Sequence, residues 1–122
     1  MSKAEPHIVV RPFHGRVRVI SAGYLIADST HAVALAETGY HTVYYVPKQH
    51  VRMELFAASS TSSICPHKGT ASWWTIETAN TLVADAAWSY ERPHADVAII
   101  AGMLAFDPQK IDAIEATSAV PG

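Results

Sequence analysis

The residues best suited to chemistry lie together in one short segment, Cys65-Pro66-His67-Lys68-Gly69. Pro66 favours an extended Cys65 and the second position of a turn, and Gly69 permits a left-handed backbone just after it. Such a turn brings Cys65 and Lys68 within about 7 Å, so the ammonium group can favour the thiolate. The amides of His67, Lys68 and Gly69 could also converge on an anion. The segment therefore predicts an anion site, a reactive thiol, or a tight strand connection with a buried, inert thiol.

Aromatic residues that follow this segment are candidates for the walls of a ligand pocket. In a strand, Trp73 and Trp74 point to opposite faces, whereas Trp88 and Tyr90 share one face. Their rings could hold a ligand, or they could simply fill the core. The candidate catalytic residues are Cys65, Lys68 and His67. The candidate ligand-binding residues are Tyr45, Arg52, Cys65, His67, Lys68, Gly69, Trp73, Trp88 and Tyr90.

Metal and nucleotide chemistry find little support in the spacing of the polar residues. The histidines occur singly, with no HxH or HxxxH pair, so we predict no metal site and no cofactor. A nucleotidyltransferase would need paired carboxylates and a Gly-rich phosphate loop, and the nearest aspartates, Asp107 and Asp112, form no DxD motif. A Ser-His-Asp triad stays open, although no G-x-S-x-G segment occurs.

The composition of the chain argues against several classes of binding partner. The chain has 122 residues and a net charge of −2, which argues against a nucleic-acid surface. No apolar run is long enough to cross a membrane, and no signal peptide is recognisable. One cysteine excludes an internal disulfide and fits a reducing compartment. We expect a cytoplasmic protein of one domain over residues 1–122, ordered from about 7 to 116 with disordered tails. Homo-oligomerisation stays open.

Strand patterns dominate the elements that must position these residues. Alternating or apolar stretches predict strands at residues 16–20, 24–27, 31–36, 42–46, 51–56, 71–78, 82–90 and 103–106. A helical turn is expected at 48–50, a short helix at 95–101, and a strand or helix at 110–116.

A weak internal repeat links the two halves of the chain. Residues 16–29 align without gaps on residues 73–86, with Gly23 and Asn80 at the two hairpin tips. Residues 57–70 form the connection between these units and have no counterpart, so chemistry is expected there.

The repeat also predicts which side chains of each strand face the core. In its register Trp74 and Ile76 correspond to Val17 and Val19, which we expect on the core face, whereas Trp73 is expected on the opposite face. We therefore predict a mainly β fold, either a small antiparallel barrel or a two-sheet fold, with a pseudo-twofold repeat and one or two short helices.

Several of these motifs together resemble a known family. They are Arg16-Val17-Arg18-Val19, Ala27-Asp28-Ser29, Tyr44-Tyr45-Val46-Pro47, Val51-Arg52-Met53, Cys65-Pro66-His67-Lys68-Gly69, Ser72-Trp73-Trp74 and Ala87-Trp88-Ser89-Tyr90. In this order, over about residues 16–115, they resemble domain-of-unknown-function family 427, also labelled nucleotidyltransferase-like. The resemblance implies a compact β-rich fold similar to the Mss4-like (β-tent) folds and a bacterial or fungal source. It implies no established activity. His50 and His67 stand where the family usually has an acidic residue and a tyrosine.

Three functional hypotheses follow. The first is a small-molecule-binding domain whose ligand, a small anion or anionic metabolite, is held near Cys65–Gly69 by Lys68 and backbone amides, with Arg52 as a further cation. The alternative is an enzyme that uses Cys65 as a nucleophile activated by Lys68 or His67. A structural interaction module is the third.

Overall fold

A computed structural model describes residues 7–119 and shows a fold built from strands. The strands are β1 (Ile8–Pro12), β2 (Gly15–Ser21), β3 (Tyr24–Ser29), β4 (Val33–Glu37), β5 (Val43–Tyr45), β6 (Phe56–Cys65), β7 (Gly69–Glu77), β8 (Leu82–Ser89), β9 (Leu104–Phe106) and β10 (Ala113–Ser118). Short 3-10 helices span Lys48–His50, Met53–Leu55 and Ala95–Ile100. Over this range, no helix has the length and apolar character needed to cross a membrane.

The strands form three antiparallel sheets. Their strand orders are β1-β4-β5, β10-β2-β3 and β6-β7-β8-β9. An isolated bridge between Val46 and Leu104 connects the first sheet to the third, and another between Ala27 and Val51 supports the second. The mainly β prediction is confirmed. Within residues 7–119 the sheets do not close into a barrel, and packed sheets describe the fold better.

Both segments of the internal repeat are antiparallel hairpins. β2 pairs with β3, and β7 pairs with β8. In the first hairpin, Ala22 and Gly23 have φ values of 52° and 81°, as a two-residue turn with a primed geometry requires. The second turn is wider, and the amide of Thr78 donates to the carbonyl of Thr81 at 2.9 Å.

Two apolar clusters lie between the sheets, and they pack against opposite faces of β7. Val17, Val19 and Ile76 are fully buried in the first cluster, and Trp74 packs against it, as the register predicts. Trp73 instead packs against the second cluster. That second cluster, between β4–β5 and β7–β9, supplies the floor of the site described below.

One predicted strand is wrong. At residues 51–56, Val51 makes a bridge to Ala27, and the chain then turns through the Met53–Leu55 helix before β6 begins. The amide of Leu55 donates to the carbonyl of Arg52 at 3.0 Å. Local hydrogen bonds of this kind satisfy the backbone without a neighbouring strand, so apolar composition alone misleads here.

The segment at 57–70 is more regular than predicted. Most of it is β6, which pairs with β7 through a register shift between Ala58 and Ser62. Alanine and serine have weak strand propensity, and the pairing with the Trp-rich β7 overrides it. The connection expected there shrinks to the turn that follows Cys65.

The ends of the chain also differ from the prediction. β1 has no counterpart in the prediction, whereas the strand or helix expected at residues 110–116 is a strand, β10. Thr117 and Ser118, which fall in the predicted disordered tail, pair with Arg16 and Gly15. The amide of Ala119, in the same predicted tail, donates to the carbonyl of His14 at 3.0 Å. Residues 1–5 and 120–122 lie outside the described residues.

Candidate functional site

Six predicted ligand-binding residues line one cavity of about 340 Å³ between the first and third sheets, here called the site cavity. They are Tyr45, Cys65, Lys68, Trp73, Trp88 and Tyr90. Its volume lies within the range of pockets that hold small metabolites, about 300–1,000 Å³. Residues far apart in the sequence therefore converge as the first functional hypothesis requires.

The turn after β6 places Lys68 over the site cavity. The amide of Lys68 donates to the carbonyl of Cys65 at 3.2 Å, which closes a four-residue turn. Gly69 follows with φ of 124°, a backbone conformation that side chains rarely allow. The predicted turn and its glycine are thus present. Because the Lys68 amide is used within the turn, it is not available to an anion-binding nest.

Lys68 forms an ion pair that the sequence did not reveal. Its Nζ lies 2.9 Å from Oε1 of Glu37 at the end of β4, and both side chains are only 13% exposed. Burial by itself lowers the pKa of Lys68, but the hydrogen bond to Glu37 and the nearby negative groups raise it above its usual value. Lys68 is therefore a charged donor at neutral pH.

Cys65 lies beside this ion pair. Its Sγ is 3.7 Å from Nζ of Lys68, and the residue is partly exposed. The buried position considered from the sequence therefore does not describe Cys65, which borders the site cavity. The reactivity of its thiol stays a prediction.

Aromatic side chains form the walls of the site cavity. The rings of Trp73 and Trp88 lie 5.4 Å apart between centroids. Nε1 of Trp88 donates to the Tyr45 hydroxyl at 3.3 Å, and Nε1 of Trp73 donates to Oγ of Ser63 at 2.9 Å. Burial raises the pKa of Tyr45 to about 12 and also raises the pKa of Tyr90. Both phenols are therefore protonated and able to donate hydrogen bonds.

Three of the predicted residues do not line the site cavity. Arg52 pairs with Glu54 at 3.1 Å on the surface. His67 points to a separate small cavity that Asp96 also lines. Gly69 shapes the turn without bordering the site cavity.

Glu37, Tyr40 and His41 line the site cavity but were missed from the sequence. Glu37 lies 31 residues before Lys68, and no local pattern links the two. The only signal was the end of a predicted strand, since polar residues at strand ends often face a neighbouring site.

A larger depression, of about 640 Å³, lies beside β2 and β10. Arg16 and Arg18 line it, but Asp28 accepts two hydrogen bonds from Arg16, at 2.8 and 2.6 Å. Oδ2 of Asp28 is also 3.9 Å from Nε of Arg18. Because these cations are paired at the surface, the depression offers less specific chemistry than the site cavity.

No three His, Cys, Asp or Glu side chains meet as metal ligands would between residues 7 and 119.

The sequence matches the family described as Domain of unknown function (DUF427) over residues 9–117. The chain belongs to the DUF427 family. No curated protein matches the sequence. All residues named above for the site cavity of this DUF427 domain lie within the matched range.

Proposed function

We propose that the domain binds a small organic anion in the site cavity, with Lys68 as its principal contact. The observation that carries the proposal is the convergence of three hydrogen-bond donors, Lys68, Tyr45 and Tyr90, on one aromatic-walled cavity. An ammonium group has three N–H donors, of which Glu37 accepts one at 2.9 Å and Sγ of Cys65 another at 3.7 Å. The third N–H, together with the phenol hydroxyls, suits a carboxylate or a similar acceptor group.

The aromatic walls favour a ligand with a flat or apolar part. Trp73 and Trp88 supply ring surfaces, and the ion pair between Lys68 and Glu37 balances the charges of these two lining residues. A bare inorganic ion would bind the hydrogen-bond donors and leave the faces of these rings exposed to water. An organic anion would contact both the donors and the rings. Because Cys65 is a free cysteine, we take the ligand to be a metabolite of a reducing, cytoplasmic compartment.

A thermal-shift screen of organic acids tests the proposal. Wild type is compared with Lys68→Met and with Lys110→Met, which removes an exposed cation outside the site cavity. Each protein is measured against its own ligand-free melting temperature, so that any loss of stability in the variant is separated from binding. We expect some acids to stabilise wild type and Lys110→Met but not Lys68→Met. Equal stabilisation of all three proteins would contradict the proposal.

The second candidate function is an enzyme with Cys65 as its nucleophile. The 3.7 Å distance between Sγ and Nζ of Lys68 favours it. In this reaction Sγ would form a bond to a carbonyl carbon of the ligand while the C=O π bond breaks, and the thiol proton would pass to the carbonyl oxygen. Lys68, which stays charged, would stabilise the negative charge that develops. His67, the other proposed activator, lines a different cavity.

Alkylation by iodoacetamide from pH 5 to 9 tests this second candidate. Native wild-type protein should react several-fold faster near neutral pH than Lys68→Met, and Lys110→Met should behave as wild type. Labelling that begins only after denaturation would remove the nucleophile hypothesis and leave ligand binding intact.

A further inference from the structure

A second cavity of about 550 Å³ adjoins the site cavity. The two share Tyr40, His41, Val43 and Trp88 as lining residues. The two cavities are therefore neighbours on either side of β5 and Trp88. A ligand that passes over the shared residues Tyr40 and His41 would reach from the first cavity into the second.

The chemistry of the second cavity differs from that of the first. Its additional walls include Tyr44, Phe106, Pro108 and Ile114. Of the described residues that line it, none is Asp, Glu, Lys or Arg. Charged groups are thus confined to one end of the combined space.

Tyr40 lies where the two cavities meet and is 74% exposed. A large aromatic side chain exposed beside an apolar cavity is what a bound ligand would cover. A molecule that spans both cavities would bury this ring together with the apolar face of Trp88.

We infer that the ligand is an amphipathic organic acid, with its carboxylate at Lys68 and its hydrocarbon part in the second cavity. This inference rests on the proposed function, because it assigns the class of ligand for the same site. The hydrogen-bond donors of the site cavity would orient the carboxylate of the ligand. The apolar walls of the second cavity would select the length and shape of its hydrocarbon part.

Straight-chain carboxylates from acetate to decanoate, titrated by calorimetry, test the inference. Burial of each methylene group should raise the affinity of wild type by about two- to fourfold until the second cavity is filled. Lys68→Met should weaken binding at every chain length.

Two variants locate the hydrocarbon part. Ile114→Thr removes apolar surface from the second cavity, and Pro108→Glu places a charge on an exposed residue at its rim. In both variants, the binding affinity should increase less with the chain length of the carboxylate than it does in wild type. Ile99→Thr and Gln109→Glu are the matched controls, since they make the same kinds of change on exposed residues outside both cavities.

The outcomes separate the two proposals. If acetate and decanoate bind equally well and Lys68→Met abolishes both, the inference fails and the proposed function stands. If affinity rises with chain length equally in Ile114→Thr, Pro108→Glu and wild type, the tail lies elsewhere and the inference fails. If no carboxylate of any length binds wild type, both proposals fail.

Discussion

The ion pair between Lys68 and Glu37 connects a strand end to a turn across the site cavity. Each side chain is largely withdrawn from water, and removing one partner leaves the other charge unpaired in that environment. The pair therefore fixes the Lys68 ammonium beside the site cavity and makes its position sensitive to a change of either residue.

Lys68→Met should lower the free energy of unfolding by about 1–3 kcal/mol, since it leaves the Glu37 carboxylate buried without its cation. The double variant Lys68→Met with Glu37→Gln should recover a substantial part of that loss. Urea denaturation of the single and double variants measures both effects. Additive losses in the double variant would show that the two side chains do not interact.

Glu91 gives the protein an acid-sensitive contact. Burial raises the pKa of Glu91, but hydrogen bonds from Ser89 and Lys48 lower it more, so the net shift is downward. The carboxylate thus stabilises the fold above its unfolded pKa, near 4.5, and this contribution disappears as pH falls through the lower folded value.

We expect Glu91→Gln to reduce stability at neutral pH and to narrow its gap from wild type as pH falls below 4.5. Melting temperatures between pH 3 and 7 provide the measurement. Glu77→Gln, on the exposed end of β7, is the control and should keep the wild-type acid dependence. A gap that stays constant with pH would argue against a role for Glu91 ionisation.

The hairpin of β6 and β7 positions Cys65 and Lys68 at the site cavity. Cys65 ends one strand, Gly69 begins the next, and the turn between them carries Lys68. A cavity wall and its charged group are thus placed by one local element, while β4 supplies the partner Glu37.

Gly69→Ala should destabilise the protein by about 1–3 kcal/mol, because φ at this position is 124°. It should also weaken ligand binding, since the turn that holds Lys68 must change. Gly23→Ala is the control, with φ of 81° and nothing within 4 Å of an added Cβ. It should lower stability while leaving binding unchanged. Equal binding by both variants would mean that Gly69 does not position Lys68.

Local patterns predicted these elements well where the backbone signals were strong. Pro66 and Gly69 marked the turn, and the period of two placed Trp73 and Trp74 on opposite faces. The contribution of Glu37 depends on the packing of two sheets, and the end of the strand before it is the only local signal for it. β6 was missed for a related reason, since its partner rather than its composition makes it a strand.

At the scale of the whole molecule, β10 returns to the start of the chain and completes the second sheet. Ser118 pairs with Gly15, and Ala113 pairs with Ile20. The first apolar cluster thus depends on segments from both ends of the described chain, because Val17 and Ile114 pack in it together.

Gly15→Ala should lower the free energy of unfolding by about 1–3 kcal/mol through overpacking. An added Cβ would lie 2.2 Å from the carbonyl oxygen of Thr117 and 2.8 Å from the Phe13 ring, so β10 must shift. Chemical denaturation followed by tryptophan fluorescence measures the loss. Wild-type stability in this variant would show that the pairing of β2 with β10 is loose at this end.

The pairing of β10 with β2 also has a consequence for how the protein is made. A ribosome releases β2 about a hundred residues before β10, which pairs with it. Until β10 emerges, that edge of β2 and the apolar side chains beneath it stay uncovered in the nascent chain. Completion of the second sheet must therefore follow synthesis of nearly the whole domain, and a pause in translation before β10 would prolong the exposure of an aggregation-prone edge.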